Sequence, residues 1–176
     1  NSKEGGFYRC SKKPAEEYVH EYHNWYGLDY CILRYGSLYG HRCNADNGLW
    51  RILNNAINSG KLEYMGHPET LREYIHVNDA AKASVLAMGN DFKNQHIVIT
   101  GQDPMKVLDL LKMIGEILDI KEDAKFQNTS YSGHYLRTPY SFNEKIGMKY
   151  TPSMHVDLGE GLLQMISEIK NSNITN

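Results

Sequence analysis

Tyr8 and Lys12 stand four residues apart in the run Tyr8-Arg9-Cys10-Ser11-Lys12. On a helix, positions i and i+4 share a face, so a phenol and an ammonium at this spacing can point into one site. A neighbouring ammonium favours phenolate over phenol, and such a tyrosine can take up and return a proton near neutral pH. The lysine can also donate hydrogen bonds to ribose hydroxyls. The spacing alone decides little. Thirteen Tyr and thirteen Lys in 176 residues make about one such pair expected by chance, and the chain holds one. The plain alternative is an exposed Tyr–Lys helix pair worth a few tenths of a kcal/mol.

Two other clusters invite a chemical reading and resist it. His20 and His23 lie beside Glu16 and Glu17, but His20-Glu21-Tyr22-His23 is not HExxH, whose histidines sit four apart. An exposed helix face is the expectation, with no metal. Ile97-Val98-Ile99-Thr100-Gly101 reads as a strand ending in glycine before a helix. One glycine cannot supply the turn, the close approach to pyrophosphate and the tight packing of a dinucleotide fingerprint, and no GxGxxG occurs.

The elements that must position these residues follow from periodicity. Ala15, Val19, Tyr22 and Tyr26 predict a helix over 8–26, ended by Gly27. Residues 30–35 read as a strand, followed by a glycine-bearing loop over 36–48. Leu49, Ile52, Leu53, Ala56 and Ile57 predict a helix over 49–59, stopped by Gly60. Residues 62–65 and 72–77 read as extended, and Asp79 is placed to cap a helix over 80–89. A strand over 96–100 and a strongly periodic helix over 105–118 come next. Residues 121–135 look polar and irregular, and a last helix is expected over 157–170. Alternating strands and helices indicate α/β architecture.

Composition sets the class. Hydrophobic residues make up 41% and charged residues 23%, ordinary for a globular chain and too apolar for disorder. A net charge of −2 invites no nucleic acid. No apolar run approaches the roughly 20 residues of a membrane span. Cys10, Cys31 and Cys43 form no CxxC pair, so a reducing cytoplasm is the expectation. The Asn128 and Asn173 acceptor patterns for glycosylation are read as chance. The start is neither an initiator methionine nor a signal peptide, and the chain is expected to be a piece of a longer one.

Order along the chain adds what the single motif lacks. Tyr8-x-x-x-Lys12 precedes Leu33-Arg34-Tyr35-Gly36-Ser37-Leu38-Tyr39-Gly40-His41-Arg42. Then come Arg72-Glu73-Tyr74-Ile75-His76-Val77-Asn78-Asp79, Arg137-Thr138-Pro139 and Gly147-Met148-Lys149-Tyr150-Thr151-Pro152. This succession resembles, over essentially the whole chain, the C-terminal half of extended short-chain dehydrogenases that act on nucleotide sugars, the NAD-dependent epimerases and dehydratases. The segments 33–40 and 72–79 are its most specific parts.

The resemblance implies the C-terminal part of a Rossmann-type parallel sheet with a smaller α/β substrate lobe, without the N-terminal dinucleotide-binding half. Residues 1–46 would end the NAD-binding part. Residues 47–176 would be mainly the substrate lobe, with 73–100 returning to the sheet. Tyr8 would be the general base and acid, with Lys12 promoting its ionisation and anchoring the cofactor ribose. Tyr35 would lie beside the nicotinamide. Ser37 stands where the family has an asparagine that contacts the nucleotide sugar, and a hydroxyl cannot reproduce the amide's paired geometry. Asn47 and Leu49 open a helix whose N-terminus suits a diphosphate, although plain capping by Asn47 fits equally. Met65 matches a position that packs on the nucleotide base, where plain core is the commoner role. Arg72 and Arg137 match two arginines that grip the diphosphate. Arg34 is read as structural, and His76 and Asp79 as strand packing and capping. The family's substrate-orienting Ser or Thr would fall before Asn1.

The implied activity is epimerisation or dehydration of a nucleotide-diphospho-sugar with NAD, NADP not being excluded, in a homodimer built on the YxxxK helix. The stretch alone is expected to be inactive. A ketoreductase or dehydrogenase of the same superfamily, or an inactive binding and assembly module, would carry many of the same residues.

Overall fold

The computed structural model describes residues 6–127 and 147–174. Helix α1 (Gly6–Tyr26) ends at Gly27, whose φ of 65° lets its N–H reach the His23 carbonyl at 2.8 Å. Strands β1 (Cys31–Tyr35) and β2 (Ser37–Tyr39) follow, separated only by Gly36. Helix α2 (Gly48–Ser59) and strands β3 (Glu63–Met65), β4 (Leu71–Arg72) and β5 (Tyr74–His76) come next. Helix α3 (Val77–Leu86), a single 3-10 turn (Asn90–Phe92) and strand β6 (Gln95–Ile99) lead to the short strand β7 (Met105–Lys106). Helix α4 (Val107–Leu118), strands β8 (Lys125–Gln127) and β9 (Met148–Tyr150), and helix α5 (Leu158–Ile174) complete the described chain.

β1, β6 and β9 form a parallel sheet in that order, with Leu33 opposite Ile97 and Ile97 opposite Met148. The expected α/β class is present, and the strands expected over 30–35 and 96–100 both lie in this parallel sheet, where they pair with each other. At Gly36 the chain changes partners. Its N–H bonds the Ile99 carbonyl at 2.9 Å, while the next N–H, from Ser37, bonds Glu73 at 2.8 Å and starts the parallel β2–β5 pair. A Cβ on Gly36 would stand 2.7 Å from the Glu73 carbonyl oxygen, so glycine is needed where two ladders converge. β3 pairs with β8 in parallel and β4 with β7 antiparallel.

Two cores support this frame. One joins the sheet to α3 through Ile75, Ala80, Ala83, Ile97 and Ile99. The other packs α2, α4 and α5 together, with Leu53, Leu110, Leu111, Ile114 and Leu162 fully buried. The 3.6-residue periodicity of α2 and α4 matches these buried faces.

Several local expectations change. The loop over 36–48 contains strand β2, and the irregular stretch contains β8. Residues 148–150, for which no strand was expected, are the third strand of the main sheet. Each makes its ladder with a distant partner, which local pattern does not show. Helix α3 begins at Val77, so Asp79 is not its cap. His76, at φ −66° and ψ 140°, takes that role through Nδ1, which accepts from the Asn78 N–H at 3.3 Å. Asp79 sits in the first turn, and its Oδ2 accepts the Val156 N–H at 2.7 Å, tying α3 to the segment before α5.

Candidate functional site

Three contacts set how α1 lies on the sheet. Arg34 donates from Nε and Nη2 to the two carboxylate oxygens of Glu16, at 2.8 and 2.5 Å. His20 and His96 bring their Nε2 atoms to 2.9 Å. His23 and Tyr30 meet edge-on with ring centroids 5.4 Å apart. As the helix number rises, the strand number falls, so α1 runs antiparallel to β1. From Glu16 back to Tyr8 the helix extends about 12 Å at 1.5 Å per residue. Beyond Arg34, β1 has only Tyr35, about 3.3 Å more. The first turns of α1 therefore overhang the carboxyl edge of the sheet, where open α/β sheets bind ligands.

Tyr8 is 72% exposed on that overhang, and the Lys12 Nζ stands over its ring, 5.2 Å from the centroid. The shared face inferred from the spacing is thus present. Ser11 Oγ donates to the Tyr8 carbonyl at 2.8 Å. Two other tyrosines are unsuited to proton transfer. Burial pushes the Tyr39 and Tyr74 hydroxyls well above the ordinary tyrosine range, so both stay neutral. The Glu16 carboxyl is held below its usual range, first by the hydrogen bond from Arg34, which gives Arg34 the structural role expected of it.

Tyr35 ends β1 at the same edge. Its hydroxyl lies 2.6 Å from Ser84 Oγ, and that serine's own proton goes to the Ala80 carbonyl at 2.6 Å. Tyr35 is therefore the donor in its pair, and its hydroxyl is engaged on α3. Ser37 sits opposite Tyr74. Its N–H partner Glu73 directly follows Arg72, so Ser37 and Arg72 lie on neighbouring stretches of backbone. Arg72 is half-buried and donates from Nη1 to the Leu71 carbonyl at 3.0 Å.

Asn47 joins α2 to this edge. Its Nδ2 donates to the Leu38 carbonyl at 2.8 Å, and its Oδ1 accepts from the N–H groups of Leu49 and Trp50, both at 3.0 Å. Capping is what the geometry displays, and the Leu49 N–H is already bonded. Met65 is 67% exposed, so it is not plain core, and its strand pairs with β8 away from β2. Arg137 lies outside the described residues.

Some polar partners gave no sign in the sequence. Glu73 is buried with Lys149 Nζ at 3.5 Å, and that ammonium also donates to the Gln102 carbonyl at 3.2 Å. His20 is not on a free helix face but half-buried against Tyr30 and His96. Glu73 and Lys149, like His20 and His96, are 76 residues apart, and no local spacing marks them. A cavity of about 190 Å³ lies between α2 and α5, lined by Cys43, Trp50, Met165 and Ile169, and none of the described candidate residues border it. Among the described residues no three His, Cys, Asp or Glu side chains form a metal set, and no helix is long and apolar enough to cross a membrane.

Comparison with known proteins converges on one family. Residues 3–100 match the family described as NAD dependent epimerase/dehydratase. A protein of Methanocaldococcus jannaschii, provisionally named a UDP-glucose 4-epimerase, is 26% identical over 171 residues, which is 96% of this chain and 54% of that protein. The fold is similar to UDP-glucuronic acid 4-epimerase from Bacillus cereus, solved with UDP-glucuronic acid and NAD. The TM-score is 0.78 at 23% identity, over 94% of this chain and 52% of that one. It is also similar to dTDP-glucose 4,6-dehydratase from Bacillus anthracis in complex with NAD, with a TM-score of 0.76 at 20% identity, over 99% of this chain and 54% of that one. The structural likenesses speak for the fold. The chain spans about half the length of the curated relatives it matches. The match over 3–100 takes in α1, the change of partners at Gly36 and the Arg72–His76 segment, and this chain belongs to the NAD-dependent epimerase/dehydratase family.

Proposed function

We propose that this chain is the substrate-side half of an enzyme that epimerises or dehydrates a nucleotide-diphospho-sugar with NAD. The observation that carries the reading is the Tyr8–Lys12 pair, exposed together where α1 overhangs the carboxyl edge of the parallel sheet. The donor set suits a nicotinamide nucleotide. Lys12 offers three N–H donors for ribose hydroxyls, and Tyr35 ends the adjacent strand, beside the place for the ring. When bound, NAD supplies a reversible two-electron acceptor for hydride from a sugar carbon.

The chain's own residues then do the following. Tyr8 Oη takes the proton of the sugar hydroxyl as that carbon is oxidised and gives one back when the carbonyl is reduced. Lys12 stabilises the anionic tyrosine and holds the ribose. Ser37 offers one hydroxyl to the sugar nucleotide. Arg72, with Arg137, neutralises the diphosphate, because two guanidiniums match its charge and can bind it bidentately. The N-terminus of α2, which Asn47 caps at Leu49 and Trp50, presents its partial positive charge to the same anion. Met65, exposed on β3, is the apolar surface for the base. In this division residues 1–46 finish the cofactor-binding part, and 47–176 form mainly the substrate lobe, with 73–100 returning to the sheet.

We also assign a homodimer through α1. Tyr18, Tyr22, Trp25 and Tyr26 are exposed along it, with the Tyr22 and Tyr26 rings 5.7 Å apart. That is the aromatic composition of an interface core.

The test is incubation of the full-length protein with UDP-glucose, UDP-glucuronic acid and dTDP-glucose in the presence of NAD, followed by proton NMR. Appearance of a C4 epimer or a 4-keto-6-deoxy sugar without net NADH supports the proposal. Stoichiometric NADH identifies a dehydrogenase instead, and no conversion of any of them supports the binding module.

A further inference from the structure

His20 on α1 and His96 on β6 face each other through Nε2 atoms 2.9 Å apart. One nitrogen must donate and the other accept, so the contact exists only while at least one ring keeps a bare Nε2. The ring centroids are 5.1 Å apart, and Tyr30 stands edge-on to both rings, 5.3 Å from His20 and 6.2 Å from His96. Both histidines are half-buried.

Among the described residues the charged neighbours are few and already engaged. On α1, both oxygens of Glu16 are held by Arg34 of β1, and His23 Nδ1 pairs with the Leu28 carbonyl at 2.9 Å. In the turn after α1, Asp29 is bridged to Lys93 at 2.7 Å. From the β9 side, Gly147 comes against the His96 backbone and brings no ionisable side chain. Among the described residues no third ligand turns the pair into a metal set.

We propose that His20 and His96 form a one-proton latch for the helix that carries Tyr8 and Lys12. The latch docks α1 on β6 while the pair holds at most one extra proton, and it opens when both rings are charged. One extra proton makes an N⁺–H···N bond, which is charge-assisted. A second proton removes the acceptor and sets two like charges at contact distance, with Glu16 already committed to Arg34. Burial, then the nearby Arg34 charge, holds His96 below the ordinary histidine value, the direction expected of a ring kept neutral. A lowered folded-state value means that the contribution is fully present above the unfolded value of about 6.5 and is lost as pH falls below it. Tyr8 lies twelve residues, about 18 Å, along the same helix, so loosening this end shifts Tyr8 against the sheet edge. The latch stands whether or not Tyr8 is catalytic.

Hydrogen exchange read by mass spectrometry on the full-length protein tests it. After correction for intrinsic rates, the peptide over 16–26 is expected to lose protection between pH 7.5 and 5.5, by up to about tenfold, since pH 5.5 lies about one unit below the unfolded value. Residues 107–118 of α4 should not change. In His96→Gln the carboxamide can bond His20 in either protonation state, so the pH dependence over 16–26 should vanish. Equal protection at both pH values in the wild type, or the same loss in His96→Gln, overturns the proposal. Should that variant not fold, NMR titration of the wild-type imidazoles decides. The His96 ring is expected to titrate below the ordinary histidine value, and a His96 curve at that ordinary value contradicts the latch.

Discussion

Arg34 holds both carboxylate oxygens of Glu16, at 2.8 and 2.5 Å, and so fixes the helix of Tyr8 and Lys12 to the strand that ends at Tyr35. The side chains are 22% and 28% exposed, which leaves the pair only partly screened by water. The bidentate geometry resists rotation about the helix axis as well as sliding along it.

Glu16→Gln should destabilise the protein by about 1–2 kcal/mol at pH 7, since a charge-assisted hydrogen bond is replaced by a neutral one. The hydrogen bond from Arg34 depresses the carboxyl, so its contribution is present above the unfolded value of about 4.3 and is lost as pH falls below it. Urea titrations of wild type and variant should therefore converge towards pH 3. A gap that stays constant across the acid range would mean that the charge has no part in it.

Asn47→Ala should cost about 1 kcal/mol, because the N–H groups of Leu49 and Trp50 share one carboxamide oxygen as their cap. Asn47→Ser should recover most of this in denaturant titrations. Equal stability of Asn47→Ala and wild type would mean that water replaces the cap without loss.

How much of this was legible in the sequence depends on the range of the interaction. Helices α2 and α4 announce themselves through Leu49, Ile52 and Leu53 and through Leu110, Leu111 and Ile114, because each buries a stripe of its own neighbours. The Tyr8–Lys12 face was equally local. Strand β9 was not legible, since Met148 to Tyr150 become a strand only by pairing with Ile97 to Ile99. Asp79 looked like a cap by residue type, but backbone angles put the cap at His76 and left the carboxylate for Val156. The His20–His96 contact spans 76 residues and had no signal along the chain. Order of motifs, which reports a whole fold, pointed to the family better than any one spacing.

Arg72→Leu should weaken binding of nucleoside diphosphates and sugar nucleotides by roughly 10- to 100-fold, the equivalent of about 1.5–3 kcal/mol for a charge-assisted contact. Arg72→Lys should restore only part, because a point charge cannot bind bidentately. NAD affinity should change little. Calorimetry of the full-length protein with UDP, GDP, CDP and dTDP reads all three. Unchanged affinity for every nucleotide in Arg72→Leu would leave the arginine with its backbone contact to Leu71 and no place in the diphosphate site.

The most direct measurement is the turnover number of Tyr8→Phe in the full-length enzyme with its converted nucleotide sugar, alongside the dissociation constant of that substrate. The ring remains and the hydroxyl goes, so packing and the contact with Lys12 are kept while proton transfer is lost. The account predicts a fall in kcat of about 10²- to 10⁴-fold, with binding within about twofold of wild type. A Tyr8→Phe enzyme turning over at close to the wild-type rate would contradict it.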